Sequence, residues 1–211
     1  MKTKTKDKKQ LLFDLADSQG GYFTAKQARK AGYYNRLQHY HKKKGDWVSV
    51  ERGIYRLKNY PVADRGNMIR WSLWSFNRRE EPQGVFSHQT ALALHELGDF
   101  MPSKIHITVP PHFVKKIPSK NVVLHRAVLP LEDIEKQSSF KVTTPMRSLF
   151  DAFEAHVEPD QLERAVNDAL TRGVVRLDQV HRKGSTEEME RFLSYVRALR
   201  NQVAHKGVSR A

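Results

Sequence analysis

Between residues 10 and 57 the apolar positions recur first at helical spacing and then in alternation. Leu11, Leu12, Leu15 and Ala16 predict one apolar face on a helix over 10–18, closed by Gly20-Gly21. Thr24 then predicts an N-cap, its hydroxyl taking an orphan amide of a second helix over 25–31. Ala28 and Ala31 give that helix a small, close-packing face, and Gly32 ends it. A third helix is predicted over 35–44, with Leu37 and Tyr40 or His41 turned inward. Gly45-Asp46 breaks it, Trp47-Val48-Ser49-Val50 alternates as a strand does, and Ile54-Tyr55-Arg56-Leu57 returns after the tight turn Glu51-Arg52-Gly53. Helix, turn, basic helix and hairpin describe a winged helix-turn-helix, with the hairpin as wing.

After Lys58-Asn59-Tyr60-Pro61 the pattern changes, and a domain boundary is expected near residue 60. Residues 67–78 carry Met68, Ile69, Trp71, Leu73, Trp74 and Phe76 around much of a helix, so that helix is expected to be buried on several sides, its tryptophans as core or interdomain contact. Residues 85–90 run extended into a helix over 91–97, for which Ser87 is the expected N-cap and Gly98 the terminator. Strands are predicted over 105–109, 122–125 and 140–143, and helices over 146–153, 160–170 and 186–202. The last helix has a capping box in Ser185 and Glu188. The fold class is therefore α+β: an N-terminal winged helix-turn-helix over 1–60, with 1–9 a mobile basic arm, then a mixed α/β C-terminal domain over 61–205 and a tail over 206–211.

Charge sharpens this division. The chain of 211 residues has a net charge of +14; residues 1–60 hold 15 Lys and Arg against 5 Asp and Glu, a balance of +10, and the rest hold 22 against 18. A basic excess concentrated on a helix-turn-helix is the footprint of a polyanion-binding module. The expected DNA-binding set is Thr24, Asn35, Arg36, Gln38, His39, Lys42, Lys43 and Arg52, with Asn35 or Arg36 reading bases and Arg52 reaching phosphate or the adjacent minor groove from the wing. A solvated helix face is the alternative for each of these residues, and the lysines also suit a helix C-terminus.

The chain resembles the AbiEi family, the antitoxins of bacterial type IV toxin–antitoxin systems. The residues that carry the resemblance are Trp47-Val48 with Arg52-Gly53-Ile54-Tyr55, Ser87-His88-Gln89-Thr90-Ala91-Leu92 with Leu97-Gly98, the strand 105–110, and Thr143-Thr144-Pro145-Met146-Arg147-Ser148-Leu149-Phe150-Asp151. The resemblance implies a bacterial, cytoplasmic protein that binds inverted repeats in its own operator through the winged helix and represses transcription. It also implies a C-terminal domain that opposes a cognate nucleotidyltransferase-like toxin without a stable complex.

The chemistry of a catalyst is not visible. Absence of cysteine removes thiol catalysis, disulfides and thiolate metal sites. His95-Glu96 opens like a zinc-protease helix, yet Asp99 stands where the second histidine would lie. His88 and His95 are seven apart and share a helical face without a third ligand at fixed spacing, so core hydrogen bonding is expected and no metal or cofactor. His106 and His125, on strands, face solvent or a polar cleft. The only carboxylate followed two residues on by lysine in a nuclease-like pairing is Asp7 with Lys9, in the basic arm, and Asp178 with His181 is too sparse for a site. No enzyme is expected. No apolar run reaches the length of a membrane span, so no membrane partner is expected. The alternatives left open are a ligand-responsive winged-helix repressor without a toxin partner, its pocket bordered by Phe86, His88, His95, His106 and His125, and an RNA- or toxin-binding surface on the C-terminal arginines. Those arginines alternate with Asp and Glu, as ordinary surface pairs do.

Overall fold

The structure, a computed structural model, describes residues 7–62, 64–116, 119–175 and 187–208, the last seven of these by backbone only. Residues 1–6 of the basic arm, Arg176, Asp178, His181, Arg182, Lys183 and Ser185 lie outside the described residues. The chain divides into two compact units: Met1–Gly84 with Lys136–Lys141, and Val85–Glu135 with Val142–Ala211.

In the first unit α1 (Lys8–Asp17) starts at Asp7, whose carboxylate accepts from the Lys9 amide at 3.4 Å. Its inward face is Leu12, Ala16 and the half-buried Leu15; Leu11, expected on that face, is exposed together with Phe13. A strand not foreseen in the sequence, β1 (Tyr22–Thr24), leads directly into α2 (Ala25–Lys30). Thr24 caps α2 as expected, and Gln27 completes a reciprocal box by accepting from the Thr24 amide at 2.8 Å. Such a cap contributes about 0.5–2 kcal/mol. Helix α3 (Asn35–Lys44) ends at Gly45, which takes the left-handed φ of +82° that lets the chain turn sharply into β2 (Trp47–Glu51). Strand β3 (Ile54–Leu57) returns antiparallel and sits between β1 and β2.

Aromatic contacts hold this unit together. Phe23 meets Trp47 edge-on with ring centroids 4.9 Å apart, and Tyr33, Tyr55 and His41 complete the cluster around the indole. Of the two adjacent rings on α3 it is thus His41 that turns inward, stacked on Trp47 at 5.1 Å, whereas Tyr40 is exposed. The unit continues beyond the winged helix itself: α4 (Gly66–Trp74) buries Ile69, Trp71, Leu73 and Trp74 and packs on β1, β2 and β3.

In the second unit β4 (Val85–Phe86) runs antiparallel to β5 (Ile105–Val109), which runs parallel to β6 (Val122–Arg126). On the other side β4 pairs in parallel with β8 (Lys141–Thr143), and β7 (Ile134–Lys136) completes the order β6-β5-β4-β8-β7. Strands β4 and β7 were not anticipated as strands; at two and three residues they are too short to alternate visibly. Helices α5 (His88–Leu94), α6 (Pro145–Glu154), α7 (Pro159–Thr171) and α8 (Glu187–Val208) supply Leu92, Leu149, Phe150, Val166, Phe192 and Val196 to a separate apolar core. Helix α5 begins three residues earlier than expected, and the Ser87 side chain does not cap it. That hydroxyl instead accepts from the Thr108 hydroxyl at 2.8 Å. The molecule is α+β, and none of its described helices is long and apolar enough to cross a membrane.

Candidate nucleic-acid interface and a histidine cluster

A six-residue helix, a short turn and a ten-residue helix bring the sequence-expected residues to α3 and the hairpin. Asn35, Arg36, His39, Lys42 and Lys43 are all exposed, and Arg36, His39, Tyr40 and Lys43 share one face by their spacing of three and four. The Arg29 guanidinium donates to the Asn35 side-chain carbonyl at 3.0 Å, tying the end of α2 to the start of α3 and leaving the Asn35 amide for an acceptor. Lys42 lies 5.6 Å from the centre of the Tyr55 ring. Among the described residues Arg36, Lys42, Lys43 and Arg52 have no acidic partner within ion-pair distance, while Lys30 pairs with Glu80 and Lys44 with Asp46. His41 bonds Asp46 at 2.8 Å, and this contact, together with Lys44, holds the Asp46 carboxyl below its ordinary range. The basic surface is thus left uncompensated on the outward face of α3, while its flank is neutralised.

Gln38 departs from the expectation. It is only 5% exposed, and its side-chain amide donates to Ala25 O at 2.9 Å and to Tyr33 O at 2.7 Å. It therefore clamps α3 to α2 and to the turn between them and faces away from any duplex. Thr24 is occupied in the capping box. Arg52 sits exposed at the tip of a short wing, whose Gly53 carbonyl accepts from the Ala25 amide at 2.8 Å and so ties the tip to the start of α2. Two residues the sequence reading left out stand beside the basic face: Tyr34, immediately before α3 and 67% exposed, and Tyr40, 54% exposed. An aromatic ring at the N-terminus of a basic helix was the available signal, because the first residues of such a helix are those that meet base edges.

The second unit holds another polar constellation. His106 on β5 and His125 on β6 lie two residues out of register on neighbouring parallel strands, so their side chains share a face. Nδ1 of His106 is 3.0 Å from Nε2 of His125. His88, the first residue of α5, stacks on His125 with centroids 3.6 Å apart. Its Nδ1 is 2.9 Å from the Ser87 hydroxyl and 3.7 Å from Oδ2 of Asp151, a carboxylate 97% buried by its 3% exposure. Burial, with the neighbouring imidazoles adding to it, pushes His88 down to about 3 and His125 down to about 4, and His106 is lowered by burial as well. Burial raises Asp151 to about 6 against the lowering pull of Arg147, whose Nε donates to Oδ1 at 2.7 Å. Helical spacing had paired His88 with His95, but the fold separates their roles: His95 Nε2 bonds the Thr143 carbonyl at 2.7 Å. One nitrogen of each of His88, His106 and His125 lies within 4.8 Å of the others.

Residues 10–58 match the model of the family described as "Transcriptional regulator, AbiEi antitoxin". The matched segment is the winged helix, so the resemblance drawn from the sequence holds over the DNA-binding fold. No curated protein matches the chain. Among solved structures, the RV2827C protein from Mycobacterium tuberculosis is similar at 17% identity and a TM-score of 0.49, over 88% of this chain and 70% of that one.

Proposed function

We propose that the chain is an AbiEi-type antitoxin that represses its own operon, binding inverted repeats in operator DNA through α3 and the wing and opposing a nucleotidyltransferase-like toxin through the second unit. The match over residues 10–58 supports the regulator reading. The observation that carries the DNA-binding part is the exposed surface of α3, where Arg36, Lys42 and Lys43 have no acidic partner among the described residues and aromatic rings stand beside them. A duplex supplies the missing counter-charge. Lys42 and Lys43 meet phosphates, which fixes register, and Arg36 with Asn35 reads base edges at the N-terminal end of the helix. The protein acts by binding and not by catalysis. The toxin is met without a stable complex, and the residues that oppose it lie in the second unit.

The test is binding of the purified chain to its own upstream DNA and to scrambled DNA across a salt series. A preference of about 10³-fold or more for the native fragment is the result for a specific operator binder. Arg36→Ala then weakens operator binding by about 1–3 kcal/mol and relaxes sequence preference at one position. Equal affinity for both fragments, with a steep loss in salt, leaves a phosphate-binding module and sinks the autorepressor reading. Rescue of cells from the neighbouring toxin gene by residues 85–211 fused to an unrelated DNA-binding domain tests the second half.

A further inference from the structure

Three histidines far apart in sequence converge where β4 hands over to α5 beside β5 and β6. We propose that His88, His106 and His125 bind one divalent transition-metal ion of the zinc class. Three imidazoles without thiolates suit zinc and its later first-row neighbours, and they leave one position of a four-coordinate ion to solvent.

The geometry carries this in three ways. First, a tetrahedral ion with metal–nitrogen bonds of about 2.0–2.1 Å sets its ligand nitrogens roughly 3.3 Å apart. His106 Nδ1 and His125 Nε2 already stand 3.0 Å apart, and one nitrogen of each of the three rings lies within 4.8 Å of the others. Second, a ligating histidine commonly gives its other ring N–H to a carboxylate, which fixes the tautomer. Asp151 Oδ2 is buried with no hydrogen-bond partner among the described residues, and it stands 3.7 Å from His88 Nδ1. With the proton on Nδ1, shared between that carboxylate and the Ser87 hydroxyl, the Nε2 lone pair is left for the ion. Third, His88 holds a φ of +54°, a conformation that costs free energy at a residue with a Cβ and that concentrates at functional positions. A histidine trio kept only for packing accounts for the first of these, as an N–H···N hydrogen bond between His106 and His125, but not for the other two. It leaves the Asp151 Oδ2 atom without a hydrogen-bond partner among the described residues and the positive φ of His88 unrewarded.

The test uses the full chain stripped with a chelator and then titrated with Zn²⁺ alone against a chromophoric competitor, and with Co²⁺ to read its visible bands. One equivalent is expected, with Co²⁺ bands of a four-coordinate nitrogen-rich site. His88→Gln, His106→Gln and His125→Gln each weaken Zn²⁺ binding by about tenfold or more, and Asp151→Asn does so by about tenfold through the tautomer of His88. The double variant His112→Gln/His156→Gln, whose histidines are exposed outside the cluster, binds as the unaltered chain does. Imidazole ¹⁵N spectra of the unaltered chain need no variant: Zn²⁺ shifts the signals of the three clustered histidines first. Binding that survives all three Gln substitutions, or ¹⁵N shifts confined to other histidines, overturns the assignment.

Discussion

Replacing Gln38 by Met separates the two roles this residue can have. Met keeps the length and the helix propensity but removes both donated hydrogen bonds, at 2.9 Å to Ala25 O and 2.7 Å to Tyr33 O, from a site only 5% exposed. Each bond contributes about 0.5–1.5 kcal/mol net, and a carbonyl that loses its donor inside the fold retains part of its desolvation cost. The expected destabilisation is therefore about 2–3 kcal/mol. All three tryptophans, Trp47, Trp71 and Trp74, lie in the first unit, so thermal unfolding followed by indole fluorescence reports on that unit by itself. For a unit of this size each kcal/mol lowers the midpoint by about 4–8 °C, so a fall of roughly 8–24 °C is expected. Below that midpoint the variant keeps the operator sequence preference of the unaltered chain, because the amide never reached a base. An unchanged midpoint together with an altered preference would refute the clamp and return Gln38 to the set of base-reading residues.

Other consequences are as direct. Gly21 has a φ of +86°, and a Cβ there would land on the Tyr60 ring; Gly21→Ala should cost at least about 1–2 kcal/mol, read as a lower indole unfolding midpoint, whereas an unchanged midpoint would mean that Tyr60 is not packed there. Lys43→Ala should weaken binding to operator and scrambled DNA alike and reduce the salt slope by about 1, while a loss confined to the operator would make Lys43 a base reader. In the metal-free protein His88 and His125 stay neutral down to about 3 and about 4, against 6.5 in the unfolded chain. The unfolded state therefore takes up protons between about pH 6.5 and 4 that the folded state refuses, and stability is lost as the pH falls through that window. Asp151, raised to about 6, works in the opposite sense, but one carboxylate is outweighed by two imidazoles. Amide-exchange protection at Ile107 and Val109 should drop by about tenfold or more from pH 6.5 to 4.5, and constant protection would show that the imidazoles are not held neutral.

The sequence by itself determined the helices and the hairpin of the winged helix, though not the short strand β1. Thr24 as a cap, Gly45 as a stop, the alternation around Trp47 and the excess of Lys and Arg act within a turn of helix or a strand's length, so they are written in neighbouring residues. The N-terminal resemblance was legible for the same reason, since the fold and charge that carry it sit in one short segment. The inward turn of Gln38 was decided by tertiary structure: a polar residue on a basic helix looks solvent-facing until two carbonyls from α2 and the following turn arrive to satisfy it. The choice of His41 over Tyr40 as the inward ring was settled likewise by the position of Trp47 across the unit. The histidine cluster lay furthest from view. Spacing along one helix suggested His88 with His95, but the contact that forms depends on the register of two parallel strands and on where β4 ends, and side chains 19 residues apart meet only when that register is set. Short-range propensity reads a face of one element; a site built across three of them exists only after they pack.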